Sequence, residues 1–350
     1  MPNQQDVQPM SADGSRVPVI AVTGHLGAGK TSLLNHLLRA PGARVGVVVN
    51  DFGTLNVDAA FVSGQIDEAA AISGGCLCCL PDAGGLDDAL ERLSQPRLRL
   101  DAIIVEASGA AEPIALSRLI RFSGAERVRP GGLIEVIDAV EYFRTVDTHP
   151  DPPVRFAAAT LLVIGKTDLL PLAERGRIIE RIRGRVRVRN PLAPIVVARR
   201  GGVDPMLVFD TARREDPTDQ LPIAELLREA GYDHAHDHVH AASVMAPGPV
   251  APRTLIDLLE SPPDGAYRVK GRVRVRGPKV ERGYLVNVVG GMIHIAPLPE
   301  PPAAGELVAI GLDLDEAAAA RRLAEVVAAA AEHPDAVGLR RLARYRRLSE

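Results

Sequence analysis

The segment Gly24-His25-Leu26-Gly27-Ala28-Gly29-Lys30-Thr31 follows the pattern G-x-x-x-x-G-K-[ST] in full. It lies between an apolar run of strand length at 17–23 and a helical pattern at 31–39. That context constrains the fold more than any other feature of the chain. Glycines let the backbone curl until its amides face one point, and the helix that follows adds free N–H groups and the positive end of its dipole. The product is a cradle for phosphate, built from Gly24, Gly27, Ala28, Gly29, Lys30, Thr31 and Ser32. Lys30 is expected to reach the β- and γ-phosphates, and the Thr31 hydroxyl to ligate Mg²⁺. Such a loop requires a strand that feeds directly into a helix.

Strand-length apolar runs recur at 44–49, 101–106, 132–137, 161–164 and 195–198. Helical patterns stand between several of them, at 86–93, 114–120 and 172–186. Alternation of this kind predicts βαβ units, hence a mostly parallel, doubly wound sheet covered by helices on both faces. The expected organisation is a polar tail at 1–16, an α/β P-loop domain at 17–212 and a linker at 213–241. A small α+β C-terminal domain follows at 242–333, then a basic tail at 334–350 that reads as a frayed helix end or a flexible segment. In the C-terminal part, residues 267–276 alternate strictly. Val269, Val273 and Val275 occupy one face, and Arg268, Lys270, Arg272, Arg274 and Arg276 the other, which predicts a sheet with one solvated face. Further strands are expected at 284–289, 292–296 and 307–310, and helices at 252–259 and 315–331.

Composition narrows the class. The 41 Lys+Arg and 44 Asp+Glu give a net charge of −3, which argues against a chain built around nucleic acid. No apolar run approaches the ~20 residues of a membrane-spanning helix, so no membrane partner is expected. Three cysteines cannot make a disulfide framework. A reducing compartment, and so a cytoplasmic location, is the expectation.

Two further segments belong with the phosphate loop. Residues 101–109 form an apolar strand that ends in Glu106, with Gly109 three positions later. In a phosphate-loop protein such an acid stands beside Mg²⁺, usually through a water, and the glycine amide senses the γ-phosphate. After the run 161–164 come Gly165, Lys166, Thr167 and Asp168. GTPases carry Asn-Lys-x-Asp at this place. The carboxylate accepts two hydrogens from the guanine edge, and the lysine stem lies against the base. Lys166 and Asp168 therefore favour GTP, although Gly165 stands where the asparagine would be.

Every cysteine lies in Gly74-Gly75-Cys76-Leu77-Cys78-Cys79. Thiolates are soft ligands suited to Zn²⁺ and Cu⁺, and C-x-C-C brings two or three sulfurs within reach of one ion. A redox thiol pair and inert cysteines are the other readings of the same residues. A tetrahedral ion needs a further ligand, which Asp51, water, a client or the histidine tract could provide. That tract sets His234, His236, His238 and His240 at alternate positions, where they would share one side of an extended chain as weak auxiliary ligands. It reads equally as a hydrophilic linker. His25 has no assigned role, and His36 reads as packed or solvated. Arg199 and Arg200 lie near the expected base position and have no specific role.

Taken together, these segments resemble the CobW-type P-loop GTPases, a family of nucleotide-dependent metallochaperones. The phosphate loop, Val49-Asn50-Asp51-Phe52-Gly53, Gly74–Cys79, residues 106–113 and the Lys166/Asp168 pair occur in that family's order. Asn190-Pro191-Leu192-Ala193 and Arg268-Val269-Lys270-Gly271 resemble two later landmarks, so the likeness covers residues 17–313. Asp51 stands where the family usually has glutamate, and Gly165 where it has asparagine. The resemblance implies a GTPase that uses GTP and Mg²⁺, with Asn50 in the nucleotide site. It implies a transition metal, Zn²⁺ or Co²⁺, held at Cys76, Cys78, Cys79 and Asp51 and loaded onto a client metalloprotein. A homodimer is compatible with it. Competing functions are a cobalt or iron chaperone for a dedicated pathway, a metal sensor or store with vestigial turnover, and a small-metabolite kinase. The basic face of 268–276 reads as a client-docking surface or as an ordinary solvated face.

Overall fold

The computed structural model describes residues 16–39, 43–50, 69–72, 84–107, 112–209, 239–277, 280–328 and 335–349. The first unit is a seven-stranded sheet in the order β3-β2-β4-β1-β5-β6-β7, parallel throughout. Its strands are β1 (Val17–Gly24), β2 (Val45–Asn50), β3 (Ala69–Ile72), β4 (Ala102–Glu106), β5 (Val128–Asp138), β6 (Leu161–Gly165) and β7 (Ile195–Val197). Helices α1 (Lys30–Leu38), α2 (Gly84–Leu93), α3 (Pro113–Arg121), α4 (Tyr142–Thr145) and α5 (Leu172–Arg189) join them. The doubly wound expectation holds, and the reason is visible in β1. Val19 and Ala21 face a core with Leu90, Leu116 and Ile182, whereas Ile20 and Val22 face another with Leu33, Leu37 and Phe209. A strand buried on both faces must be apolar throughout. β3 was not among the expected strands, because Ala69-Ala70-Ala71-Ile72 carries almost no β-branched signal.

The second unit is antiparallel, in the order β11-β10-β9-β12-β8. Its strands are β8 (His240–Ala246), β9 (Arg268–Arg276), β10 (Glu281–Val289), β11 (Met292–Pro297) and β12 (Gly305–Gly311). Helices α6 (Pro252–Glu260), α7 (Glu316–Ala328) and α8 (Ala336–Ser349) cover one face, where Val269, Val273, Val286, Leu307, Leu255 and Leu323 form the core.

Three expectations are corrected here. The basic segment at the end of the chain, read as a frayed helix end or flexible tail, forms the helix α8, which Arg341 and Leu342 dock. Arg341 donates to Asp257 Oδ1 at 2.6 Å and to Glu260 Oε2 at 2.7 Å on α6, and Leu342 is buried beneath them. His240, assigned to the linker, opens β8, and its Nδ1 stands 3.1 Å from Glu316 Oε1. The face bearing Arg268–Arg276 is not freely solvated. Arg268 is buried, and Lys270, Arg272, Arg274 and Arg276 are half-buried. Arg274 donates to Pro247 O at 2.7 Å, and Arg276 pairs with Glu281 at 3.6 Å.

The two units share a packed boundary. Tyr267 and Val289 enter the core that holds α1, and Arg268 donates to Met206 O at 3.1 Å. The Tyr267 hydroxyl lies 3.2 Å from Thr160 Oγ1. Thr160 itself donates to Leu133 O and accepts from Leu133 N on β5, so tyrosine is the donor to threonine.

His294 on β11 sits near the same boundary. Burial, and then the positive charges of Arg129 and Arg16, hold its imidazole down at about 3, against an ordinary 6.5. The folded chain therefore keeps His294 neutral while an unfolded chain protonates it below pH 6.5. Stability from this group is present above that value and is lost as the pH falls toward 3. The melting temperature of His294→Gln should fall less steeply than that of the wild type between pH 7 and pH 5. Parallel profiles would mean that His294 does not set the pH dependence of stability.

Candidate nucleotide site

All seven parallel strands run the same way, so the loops that leave them collect along one edge. β1 delivers the phosphate loop there. Gly24 has φ +152°, and a Cβ on it would meet Val136 O at 2.6 Å, so a larger residue has no room beside β5. Gly27 has φ +76° with nothing within 4 Å of a would-be Cβ. The loop thus turns on a backbone contact at its root and on conformation alone at its tip. Gly29 is the N-cap of α1, whose first-turn amides have no partner within the helix and face the loop.

Lys30 is almost fully buried, and its Nζ donates to Gly24 O at 3.1 Å and His25 O at 3.4 Å. The loop's own carbonyls hold the ammonium inside the cradle where phosphate oxygens would approach. Thr31 Oγ1 donates to Glu106 Oε1 at 3.0 Å. The register explains the meeting, since Val22 on β1 pairs with Glu106 at the end of β4. Two sequence-distant residues expected on the magnesium side therefore touch. Their donor set, a hydroxyl and a carboxylate, consists of the hard oxygens that Mg²⁺ prefers.

The loop expected to read the base lies alongside. Gly165 ends β6, and a Cβ there would be 3.6 Å from Ala28 O in the phosphate loop. Lys166 follows with φ +58° and pairs with Asp138 Oδ2 at 2.7 Å. Thr167 Oγ1 donates to Ala198 O at 3.2 Å after β7. Asp168 Oδ1 accepts from Arg200 N at 3.5 Å, so the arginine pair left without a role lies next to this loop.

The structure therefore brings together Gly24, Gly27, Ala28, Gly29, Lys30, Thr31, Ser32, Glu106, Lys166 and Asp168. Asn50 ends β2, next to this edge. Asp51, Cys76, Cys78, Cys79, Gly109, His234, His236 and His238 lie outside the described residues. Among the described residues no group of three His, Cys, Asp or Glu side chains could hold a metal ion.

Sequence reasoning missed Glu135 and Asp138 on β5, and Thr23. The Glu135 carboxyl is buried, accepts from Thr23 Oγ1 at 2.5 Å and pairs with Arg155 Nε at 2.5 Å. Burial pushes it up, and Arg155 and Thr23 oppose the rise. The signal for both acids was present, since each interrupts the apolar run Leu133-Ile134-Glu135-Val136-Ile137-Asp138.

The two central glycines separate cleanly by experiment. Gly24→Ala has both a disfavoured φ and a backbone clash, whereas Gly27→Ala has only the former, about 1–2 kcal/mol. Gly24→Ala should lower the melting temperature clearly more than Gly27→Ala in thermal unfolding. Equal effects would contradict the close approach to Val136.

Comparison with known proteins agrees with this geometry. The CobW/HypB/UreG nucleotide-binding domain family matches residues 18–197, and the cobalamin synthesis protein CobW C-terminal domain family matches residues 239–327. The chain is 28% identical to a zinc chaperone CobW of Sinorhizobium sp over 348 residues, covering 88% of this chain and 96% of that protein. It is 30% identical to the zinc chaperone YjiA of Escherichia coli K12, covering 56% of this chain and 61% of that one. It is 32% identical to the zinc-regulated GTPase metalloprotein activator 1 of Schizosaccharomyces pombe, covering 54% and 47%. With both of its units matched, and the phosphate loop and acidic strand end in contact, the chain belongs to the CobW/HypB/UreG family of P-loop GTPases.

Proposed function

We propose that this protein is a GTP-hydrolysing metallochaperone that holds a transition metal, zinc, at Cys76, Cys78 and Cys79 and delivers it to a client protein. The observation that carries the nucleotide half is the contact of Thr31 with Glu106 beneath a closed phosphate loop. Thr31 would hold magnesium directly and Glu106 through water. When bound, magnesium neutralises charge on the β- and γ-phosphate oxygens. Lys30 and the α1 amides orient the phosphates, and Asp168 accepts the two hydrogens of the guanine edge.

The metal half rests on the thiolates and on the relatives, which are named zinc chaperones and a zinc-regulated metalloprotein activator. Asp51 would add an oxygen, and His234, His236 and His238 would capture metal weakly. Strand register supports a link between the halves. Val49 pairs with Glu106, and Asn50 pairs with Ile72 at the end of β3. The strands that precede Asp51 and the cysteines in the chain therefore end side by side, next to the magnesium-side acid. Nucleotide-dependent ordering of one would reach the other. Hydrolysis would then release the metal to the client.

The test is a titration of Zn²⁺ and Co²⁺ into wild type and Cys78→Ser while GTP and ATP hydrolysis are followed. The expected result is a severalfold, metal-dependent change of GTP turnover in the wild type that Cys78→Ser abolishes. Hydrolysis independent of both metal and Cys78 would contradict the chaperone and favour a store or sensor with residual turnover. A preference for ATP would contradict the role of Asp168, and a stronger response to Co²⁺ would change the cargo.

A further inference from the structure

We infer that Asp138 is a positioning residue for recognition of the nucleotide base, acting through Lys166. The inference rests on the proposal that Lys166 and Asp168 read guanine.

The base loop needs an anchor. Gly165 contributes no side chain toward the phosphate loop, although Ala28 O is only 3.6 Å from where its Cβ would stand. Lys166 adopts φ +58°, a backbone conformation that residues with a Cβ rarely take up, so something outside the residue holds it. Asp138 meets that need. Its Oδ1 accepts from Val140 N at 2.9 Å and Glu141 N at 3.2 Å, which fixes the plane of the carboxylate. Its Oδ2 is thereby aimed at Lys166 Nζ, 2.7 Å away.

The backbone repeats the connection. Asp138 pairs with Gly165 in the sheet, and Ala139 N donates to Gly165 O at 3.1 Å. The end of β5 thus grips the base loop at two consecutive residues. The carboxylate is nearly fully covered while the lysine side chain is one-third exposed, at 7% and 33%. The lysine is therefore tethered at its tip with its stem presented outward. A tethered stem gives the purine a fixed wall. It also sets where Asp168 stands, two residues on. Thr167 secures the far side of the same turn through Ala198 O. Asp138 is the member of this set whose effect passes through a charge rather than through the backbone.

The experiment is a double-mutant cycle with Asp138→Asn and Lys166→Met in the full-length chain. The readouts are GDP and ADP affinity, KM and kcat for GTP, and melting temperature. Asparagine keeps an oxygen for the Val140 and Glu141 amides and loses only the charge. Asp138→Asn is expected to weaken GDP and raise KM for GTP about tenfold, with kcat within about twofold because Lys30, Thr31 and Glu106 are untouched. In the Lys166→Met background the same change should have no further effect. An unchanged KM, additive losses in the cycle, or loss of the folded state in Asp138→Asn would each overturn the inference. Wild-type protein that binds ADP as tightly as GDP would instead refute the guanine reading itself, and the inference would fall with it.

Discussion

The register of β1 between β4 and β5 is the constraint on which the site depends. Pairing Val22 with Glu106 on one side sets the acid beneath Thr31. Pairing Thr23 with Glu135 and Gly24 with Val136 on the other side fixes the root of the phosphate loop. A slip of one residue would turn each side chain of β1 to the opposite face. It would take the already buried Thr23 away from Glu135 and remove the close backbone approach at Gly24. Such a slip would force both closely packed cores against β1 to repack, which opposes it and so holds the polar geometry at the edge of the sheet.

β5 extends that constraint. Its Leu133 receives Thr160, and through it Tyr267 of the second unit. Its middle carries Glu135 against Thr23, and its last residue, Asp138, holds Lys166. One strand therefore touches the C-terminal unit, the foot of the phosphate loop and the base loop. Displacement along it would be felt at all three, which gives a physical route by which nucleotide could influence the C-terminal unit.

Much of this was legible in the chain. Strands such as 161–164 announce themselves by continuous branched apolar residues, and the phosphate loop by residue types that its backbone angles demand. The elements that escaped had weaker or conflicting signals. β3 is mostly alanine, β8 begins inside a histidine tract, and α8 reads as a string of arginines. The pairing of Arg341 with Asp257 and Glu260 depends on a helix more than eighty residues away, and no local pattern reports it. Glu106 was found because a motif points to it. Asp138 was not: the sequence shows it interrupting an apolar run, but its neighbour across the sheet decides which loop it serves.

Under the proposed function, one edge of this sheet would tie metal affinity to nucleotide state. Such a tie is reciprocal by thermodynamic necessity. The direct measurement is Zn²⁺ affinity, by competition with a chromophoric chelator, for the full-length chain with a non-hydrolysable GTP analogue, with GDP and with no nucleotide. The claim predicts affinities that differ at least about fivefold between analogue and GDP, with a matching change in analogue affinity when Zn²⁺ is bound. Equal Zn²⁺ affinity in all three states would contradict it.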